Sequence, residues 1–258
     1  MGQAVLEAAL PEAEFTLVGA LEIPGSPLIG RDAGERMGAV TGVSVTADFP
    51  KGVAGADVLI DFTRPEGTLA HLRACAQARV AAVVGTTGLT GTDKRALADF
   101  ARSIPIVFAP NMSVGVNVLA RLVELGAQLL GDRYDVEILE MHHKHKVDAP
   151  SGTALHLGEA AARALGRDLK TQGVFAREGV TGERKPGTIG FATLRGGDVV
   201  GDHTVIFAGA GERIELSHKA ASRSNFAHGA LRAARFVAAK RGDGATGVFD
   251  MQDVLGLR

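Results

Sequence analysis

The residues best suited to chemistry lie between Glu137 and Leu155, in the string Glu-Ile-Leu-Glu-Met-His-His-Lys-His-Lys-Val-Asp-Ala-Pro-Ser-Gly-Thr-Ala-Leu. Three histidines, His142, His143 and His145, are interleaved there with Lys144 and Lys146. Histidine is the side chain whose ordinary pKa lets it take and give a proton near neutral pH. A lysine a few residues away adds a second proton or a fixed positive charge. Ser151, Gly152 and Thr153 then stand at the start of a helix with apolar periodicity (Ala154, Gly158, Ala161, Leu165). A helix N-terminus with two hydroxyls and a bare glycine amide suits an anion such as a carboxylate. The string describes a pocket for a small acidic substrate that must be protonated.

Two other readings compete. A solvated basic loop before an ordinary N-cap accounts for any single residue, though not readily for the whole string. A zinc site built from the three histidines meets three objections. Adjacent histidines on a strand point to opposite faces, no cysteine lies nearby, and two lysines oppose a cation. No metal is expected.

The elements that must position these residues come next. Val136, Ile138 and Glu140 alternate as a strand leading into the histidines. Upstream, strand-like and helix-like segments take turns: a helix over Gly2–Leu10, a strand over Phe15–Leu21, a Gly- and Pro-rich loop to about Gly42, and a strand over Asp57–Phe62. A helix over Glu66–Ala78, a strand over Val80–Val84, a helix over Thr92–Arg102 and a strand over Ile104–Ala109 follow. Continuous apolar strands separated by helices indicate an α/β doubly wound (Rossmann-like) parallel sheet covered on both faces.

Ligands of such sheets bind beyond the carboxyl ends of the strands. Glu22, after the Phe15–Leu21 strand, is placed to accept hydrogen bonds from an adenosine ribose, although an acid there is often only a surface residue. Gly85-Thr86-Thr87 lets a backbone approach a ligand closely and offers two hydroxyls; its plain alternative is a strand-to-helix turn. Ala109-Pro110-Asn111-Met112 ends the next strand in the same way.

From Ser113 the pattern changes. An amphipathic helix (Val116, Leu119, Ala120, Val123, Ala127) leads to the histidine strand. Strand-like runs at Thr188–Leu194, Val199–Phe207 and Arg213–His218 are separated by Gly-rich turns. They indicate a second α+β domain with a mixed or antiparallel sheet. Ser224–Lys240 reads as a final helix.

Composition bounds the partners. The formal net charge of −1 points away from nucleic acid. No uninterrupted apolar run approaches the ~20 residues of a membrane span. The chain shows no signal peptide, and Leu6 stands where myristoylation needs Ser or Thr. The single cysteine, Cys75, allows no internal disulfide and fits a reducing cytoplasm.

The string from Glu137 to Leu155 closely resembles the signature of the 4-hydroxy-tetrahydrodipicolinate reductase (dihydrodipicolinate reductase) family, enzymes of diaminopimelate and lysine biosynthesis. Glu183–Phe191, Gly211-Glu212-Arg213 and the tail Gly247–Leu255 resemble further segments, so the likeness covers nearly the whole chain. It implies an NAD(P)H-dependent reductase acting on a cyclic dicarboxylate. His142 would be the general acid/base and Lys146 the proton donor or electrostatic stabiliser, with His143, Gly152 and Thr153 on a substrate carboxylate. Met1, Glu22, Gly85, Thr86, Thr87, Ala109, Pro110, Asn111 and Met112 would line the nicotinamide cofactor. The implied division is a dinucleotide-binding domain of 1–113 and 224–258, and a substrate-binding and oligomerisation domain of 114–223 that assembles a homotetramer. The double connection between them would act as a hinge. The rivals are a non-catalytic ligand-binding relative that has lost cofactor use and a histidine-cluster metal hydrolase.

Two departures from the family pattern carry expectations. Ile23 stands where members that hold the 2′-phosphate of NADPH often have a basic residue, so NADH is favoured over NADPH. The chain begins inside what resembles the last two positions of the glycine-rich fingerprint, without its strand. The expectation is a start assigned at an internal methionine and roughly 15–20 further residues in the natural protein. The chain as written would bind cofactor weakly and be of low stability.

Overall fold

Val80–Val84 is apolar on both sides of its pleat, which suits only a strand with both faces covered. In the computed structural model, which describes residues 1–257, Ala81–Val84 is completely buried inside a parallel sheet. In chain order the first elements are α1 (Gly2–Ala9), β1 (Ala20–Leu21), β2 (Val45–Thr46), α2 (Phe49–Val53), β3 (Val58–Asp61), α3 (Pro65–Ala78), β4 (Ala81–Val84), α4 (Gly91–Phe100) and β5 (Pro105–Phe108). Next come α5 (Val114–Leu130), β6 (Asp135–His142), α6 (Gly152–Ala164), α7 (Leu169–Gln172), β7 (Gly173–Val174), β8 (Ile189–Arg195), β9 (Gly201–Gly209) and β10 (Glu212–Ala220). The chain closes with α8 (Ser224–Gly242), β11 (Gly247–Phe249) and α9 (Met251–Leu255).

Two compact units result, Met1–Ser113 with Ser224–Gly256, and Val114–Arg223. The sheet of the first unit runs β11-β5-β4-β3 with every pair parallel. Leu72 of α3 and Leu97 of α4 pack with Ala82, Val84 and Ile106 in one cluster. Val5 and Ala8 of α1 and Ala227 and Leu231 of α8 pack with Ile60 and Phe62 in another. Helices therefore cover both faces, the doubly wound arrangement that apolar strands demand. Local signals set their ends: Pro65 opens α3, and Thr90 with Asp93 closes a reciprocal capping box on α4. Cys75 is fully buried, and burial pushes its thiol up to about 12, so it is a packing residue.

One expected strand is much reduced. Of Phe15–Leu21 only Ala20 and Leu21 form a ladder, with Val45 and Thr46 in a separate two-stranded sheet. The segment is held instead by close packing on α2. A Cβ on Gly19 would collide with the Gly52 carbonyl, and one on Gly52 with the Leu21 side chain. Residues 15–19 take no ladder partner among the described residues, and small residues at 19 and 52 allow the segment to approach α2 closely.

The second unit holds a mixed sheet, β10-β9-β6-β8-β7, antiparallel through β10, β9 and β6 and parallel through β6, β8 and β7. Leu119 and Val123 of α5 and Leu157 and Ala161 of α6 pack over Ile138, Phe191, Val205 and Phe207 on one face. Val114–Arg133 is also long and apolar enough to cross a bilayer by length and composition alone, which a search for uninterrupted apolar runs misses. Leu119, Ala120, Val123 and Ala127 are buried in this core, and Val116 on the same face is buried too. On the opposite sheet face, Leu139 and Leu194 remain partly exposed.

Candidate active site

Strand β6 alternates strictly, with Val136, Ile138, Glu140 and His142 turned inward. The first two join the apolar core. The last two continue the same face past the end of the core, where α6 begins. A carboxylate and an imidazole therefore occupy core positions, and each must be satisfied there. Glu140 Oε2 lies 2.6 Å from His142 Nδ1 and accepts from Arg195 Nη1 at 2.8 Å. Glu140 Oε1 accepts from the Ser151 amide at 3.0 Å and from Arg195 Nη2 at 2.9 Å. Burial alone would raise the Glu140 pKa, but the bonds from Arg195, His142 and Ser151 offset it and hold the carboxyl below the usual carboxylate range.

Ser151 is the N-cap of α6. Its Oγ accepts from the Ala154 amide at 3.1 Å and pairs with His203 Nε2 at 3.0 Å. The next two residues, Gly152 and Thr153, open the helix. Nothing lies within 4 Å of a Cβ built on Gly152, so the first turn is open on that side. His203 contacts the His142 ring edge to face, with centroids 5.0 Å apart. Lys146 Nζ pairs with Asp148 Oδ1 at 2.8 Å, and the Asp148 carbonyl accepts from Arg195 Nη2 at 2.6 Å. His142, Lys146 and the first turn of α6 thus belong to one bonded network whose hub is Glu140 and Arg195.

His143 points away from that network. It joins Lys144, His145, Gly197, Asp198 and Arg223 around an open cavity of about 690 Å³. His142, Lys146, Gly152 and Thr153 do not line it. His143 Nδ1 is buried without a hydrogen-bond partner among the described residues, a state that favours a ligand acceptor or donor. No group of three His, Cys, Asp or Glu side chains is arranged to hold a metal among the described residues. The sequence reading did not single out Glu140, Arg195 or His203. The one signal for Glu140 was a charged residue at an inward position of a strand.

His203 gives this site a pH dependence. Burial first, and then the neighbouring His142, pushes its pKa down to about 4. The unfolded chain would protonate the same ring near ~6.5. The unfolded state therefore binds more protons between those values, and stability is lost as pH falls through them. The loss is on the order of 3 kcal/mol, complete near the lower value and absent above the upper one. The urea midpoint should fall less between pH 7.5 and pH 5 in His203→Gln than in the wild type. Parallel pH curves for the two proteins would contradict the assignment.

In the first unit, β4 ends at Gly85-Thr86-Thr87. The Phe62 ring occupies the space a Cβ on Gly85 would need, so only glycine fits. Thr86 is buried, and its hydroxyl bonds Thr68 Oγ1 at 2.6 Å, while Thr87 is exposed. Asp61, at the end of β3, accepts from the Thr63 amide at 2.7 Å and pairs with His71 Nδ1 at 2.7 Å. After β5, Ala109 and Met112 are buried, Pro110 is exposed, and Asn111 Oδ1 accepts from the Ser113 amide at 2.9 Å. Glu22 follows β1 and accepts from the Ile23 amide at 2.8 Å, with Ile23 well exposed. Met1 is the N-cap of α1 and makes no side-chain cap bond. Of the groups at these strand ends, Thr87 and Pro110 are exposed, while Gly85, Thr86, Ala109 and Met112 are buried.

Residues 1–112 match the family model described as dihydrodipicolinate reductase, N-terminus, and residues 115–255 the one described as dihydrodipicolinate reductase, C-terminus. A 4-hydroxy-tetrahydrodipicolinate reductase of Cupriavidus taiwanensis is 62% identical over all 258 residues, which cover 96% of that protein. One from Aromatoleum aromaticum is 57% identical over the same span, 92% of its length. The solved structure of a dipicolinate-bound dihydrodipicolinate reductase from Paenisporosarcina sp. TG-14 has a TM-score of 0.73 at 22% identity. It covers 98% of this chain and 94% of its own, and it shares the fold.

Proposed function

The chain belongs to the dihydrodipicolinate reductase family, and on that premise we propose that it reduces 4-hydroxy-tetrahydrodipicolinate to tetrahydrodipicolinate with a reduced pyridine nucleotide. The observation that carries this reading is the bonded network joining His142 to the first turn of α6. It sets a proton-transfer ring beside an anion site, as protonation of a bound diacid requires. When bound, the reduced nicotinamide supplies a hydride. The substrate loses water before or during reduction. Hydride arrival at its C4 leaves an enamine-type carbanion, and the neighbouring carbon must take a proton. One proton is needed: His142 is the general acid/base, and Lys146 is its donor or stabilises the developing charge. The amides at Gly152 and Thr153 hold one substrate carboxylate, a role supported by the open helix turn, and His143, which faces a separate cavity with its Nδ1 unpartnered, is proposed for the other end of the diacid.

The first unit is the dinucleotide-binding domain and the second the substrate-binding domain. Gly85, Thr86, Thr87, Ala109, Pro110, Asn111 and Met112 receive the cofactor, with Glu22 on the adenosine ribose and Met1 at the helix tip. The decisive test is oxidation of NADH in the presence of freshly generated product of dihydrodipicolinate synthase. Absence of product-dependent oxidation would refute the activity.

We further propose a preference for NADH. Ile23 offers no charged contact to a 2′-phosphate. The wild type should show the higher kcat/KM with NADH. Ile23→Arg should raise kcat/KM for NADPH about tenfold or more, the effect of one charge-assisted hydrogen bond. A strong NADPH preference in the wild type would overturn this. We also propose a homotetramer and a cytoplasmic location; the exposed Leu139 and Leu194 support association through that sheet face. Light scattering that gives a monomer mass would remove the tetramer.

A further inference from the structure

The geometry points to Glu140 as a positioning residue that fixes which nitrogen of His142 carries its proton and ties that ring to the carboxylate-binding turn of α6. This inference rests on the proposed proton-transfer role of His142. Glu140 is 1% exposed, yet its two oxygens face His142 Nδ1, two guanidinium nitrogens of Arg195, the Ser151 amide and, at 3.4 Å, the Thr193 hydroxyl. An ionised carboxylate can only accept. The neutral imidazole beside it must therefore keep its proton on Nδ1. The lone pair is then on Nε2, which has no partner among the described residues and is the nitrogen that must first take up a proton and then pass it to the substrate carbon.

Register explains how one side chain does both jobs. Glu140 and His142 are two residues apart on β6 and share a face. His142 pairs across the ladder with Arg195, which also binds the Asp148 carbonyl in the turn before α6. The Ser151 amide, the last before the helix, is bound directly to Glu140 Oε1. A shift of the carboxylate would move the proton-transfer ring and the anion-binding turn together.

The test uses the intact protein and two substitutions. Imidazole ¹⁵N spectra of the wild type, at a pH where His142 is neutral, should show Nδ1 protonated and Nε2 bare; the opposite pattern overturns the proposal without any variant. Glu140→Gln should reverse it. A carbonyl at the Oε1 position serves Ser151, Arg195 Nη2 and Thr193, which leaves the amide nitrogen to donate to His142 Nδ1 while Arg195 Nη1 loses its acceptor there. Turnover should fall ~10²–10⁴-fold, as for loss of acid-base help, with KM for NADH nearly unchanged. Glu140→Asp retains a carboxylate and should restore the Nδ1-protonated form with part of kcat. A Glu140→Gln protein that keeps the wild-type spectrum overturns the proposal whatever its turnover. The role of His142 is scored apart from this: if His142→Ala keeps its turnover, that reading fails, while the spectra still decide what Glu140 does.

Discussion

His142→Ala is expected to lower kcat ~10²–10⁴-fold, the usual range for losing a positioned acid or base. KM for the nicotinamide should change far less, since its proposed ligands lie in the other unit. His142 is 8% exposed, so loss of its chemistry has to be separated from unfolding. The bonding around it argues otherwise. Glu140 keeps Arg195 and the Ser151 amide after the ring is removed, so no buried carboxylate is stranded. Ser151 keeps its cap bond to Ala154. Far-ultraviolet circular dichroism should therefore remain native while turnover collapses. Turnover within tenfold of the wild type would take His142 out of the chemistry.

How much of this was legible in the chain depends on the range of each signal. The parallel sheet could be read because β4 and β5 are apolar on both faces, a pattern that few other structures tolerate. The histidine strand could be read because Val136, Ile138 and Glu140 alternate. The start of α6 could be read because Ser151 precedes an apolar-periodic run, and Ser151 does cap α6. Sequence distance hid the rest. Arg195 reaches Glu140 only because β8 lies parallel to β6 and brings Arg195 opposite His142. His203 reaches Ser151 across 52 positions. Neither register is written in local periodicity. The Phe15–Leu21 segment misled for a related reason. Its strand-forming residues were a local preference, whereas a ladder partner, and the close approach of Gly19 to Gly52, are not local.

Lys146→Met is expected to lower kcat ~10²–10⁴-fold while costing little stability. The ammonium pairs with Asp148 at 2.8 Å, and that bond, ahead of other causes, holds the Asp148 carboxyl below the usual range. With the aspartate side chain 55% exposed, water screens the pair. Such pairs contribute roughly 0–1 kcal/mol to folding. A purely structural lysine would therefore shift the urea midpoint slightly and leave turnover alone, whereas a catalytic one would do the reverse. Lys146→Arg separates the two catalytic roles. A guanidinium keeps the charge but does not surrender a proton near neutral pH. Equal losses in the Met and Arg variants would assign proton donation. Recovery in the Arg variant alone would assign electrostatic stabilisation of the carbanion. Wild-type kcat in both would leave Lys146 as no more than the partner of Asp148.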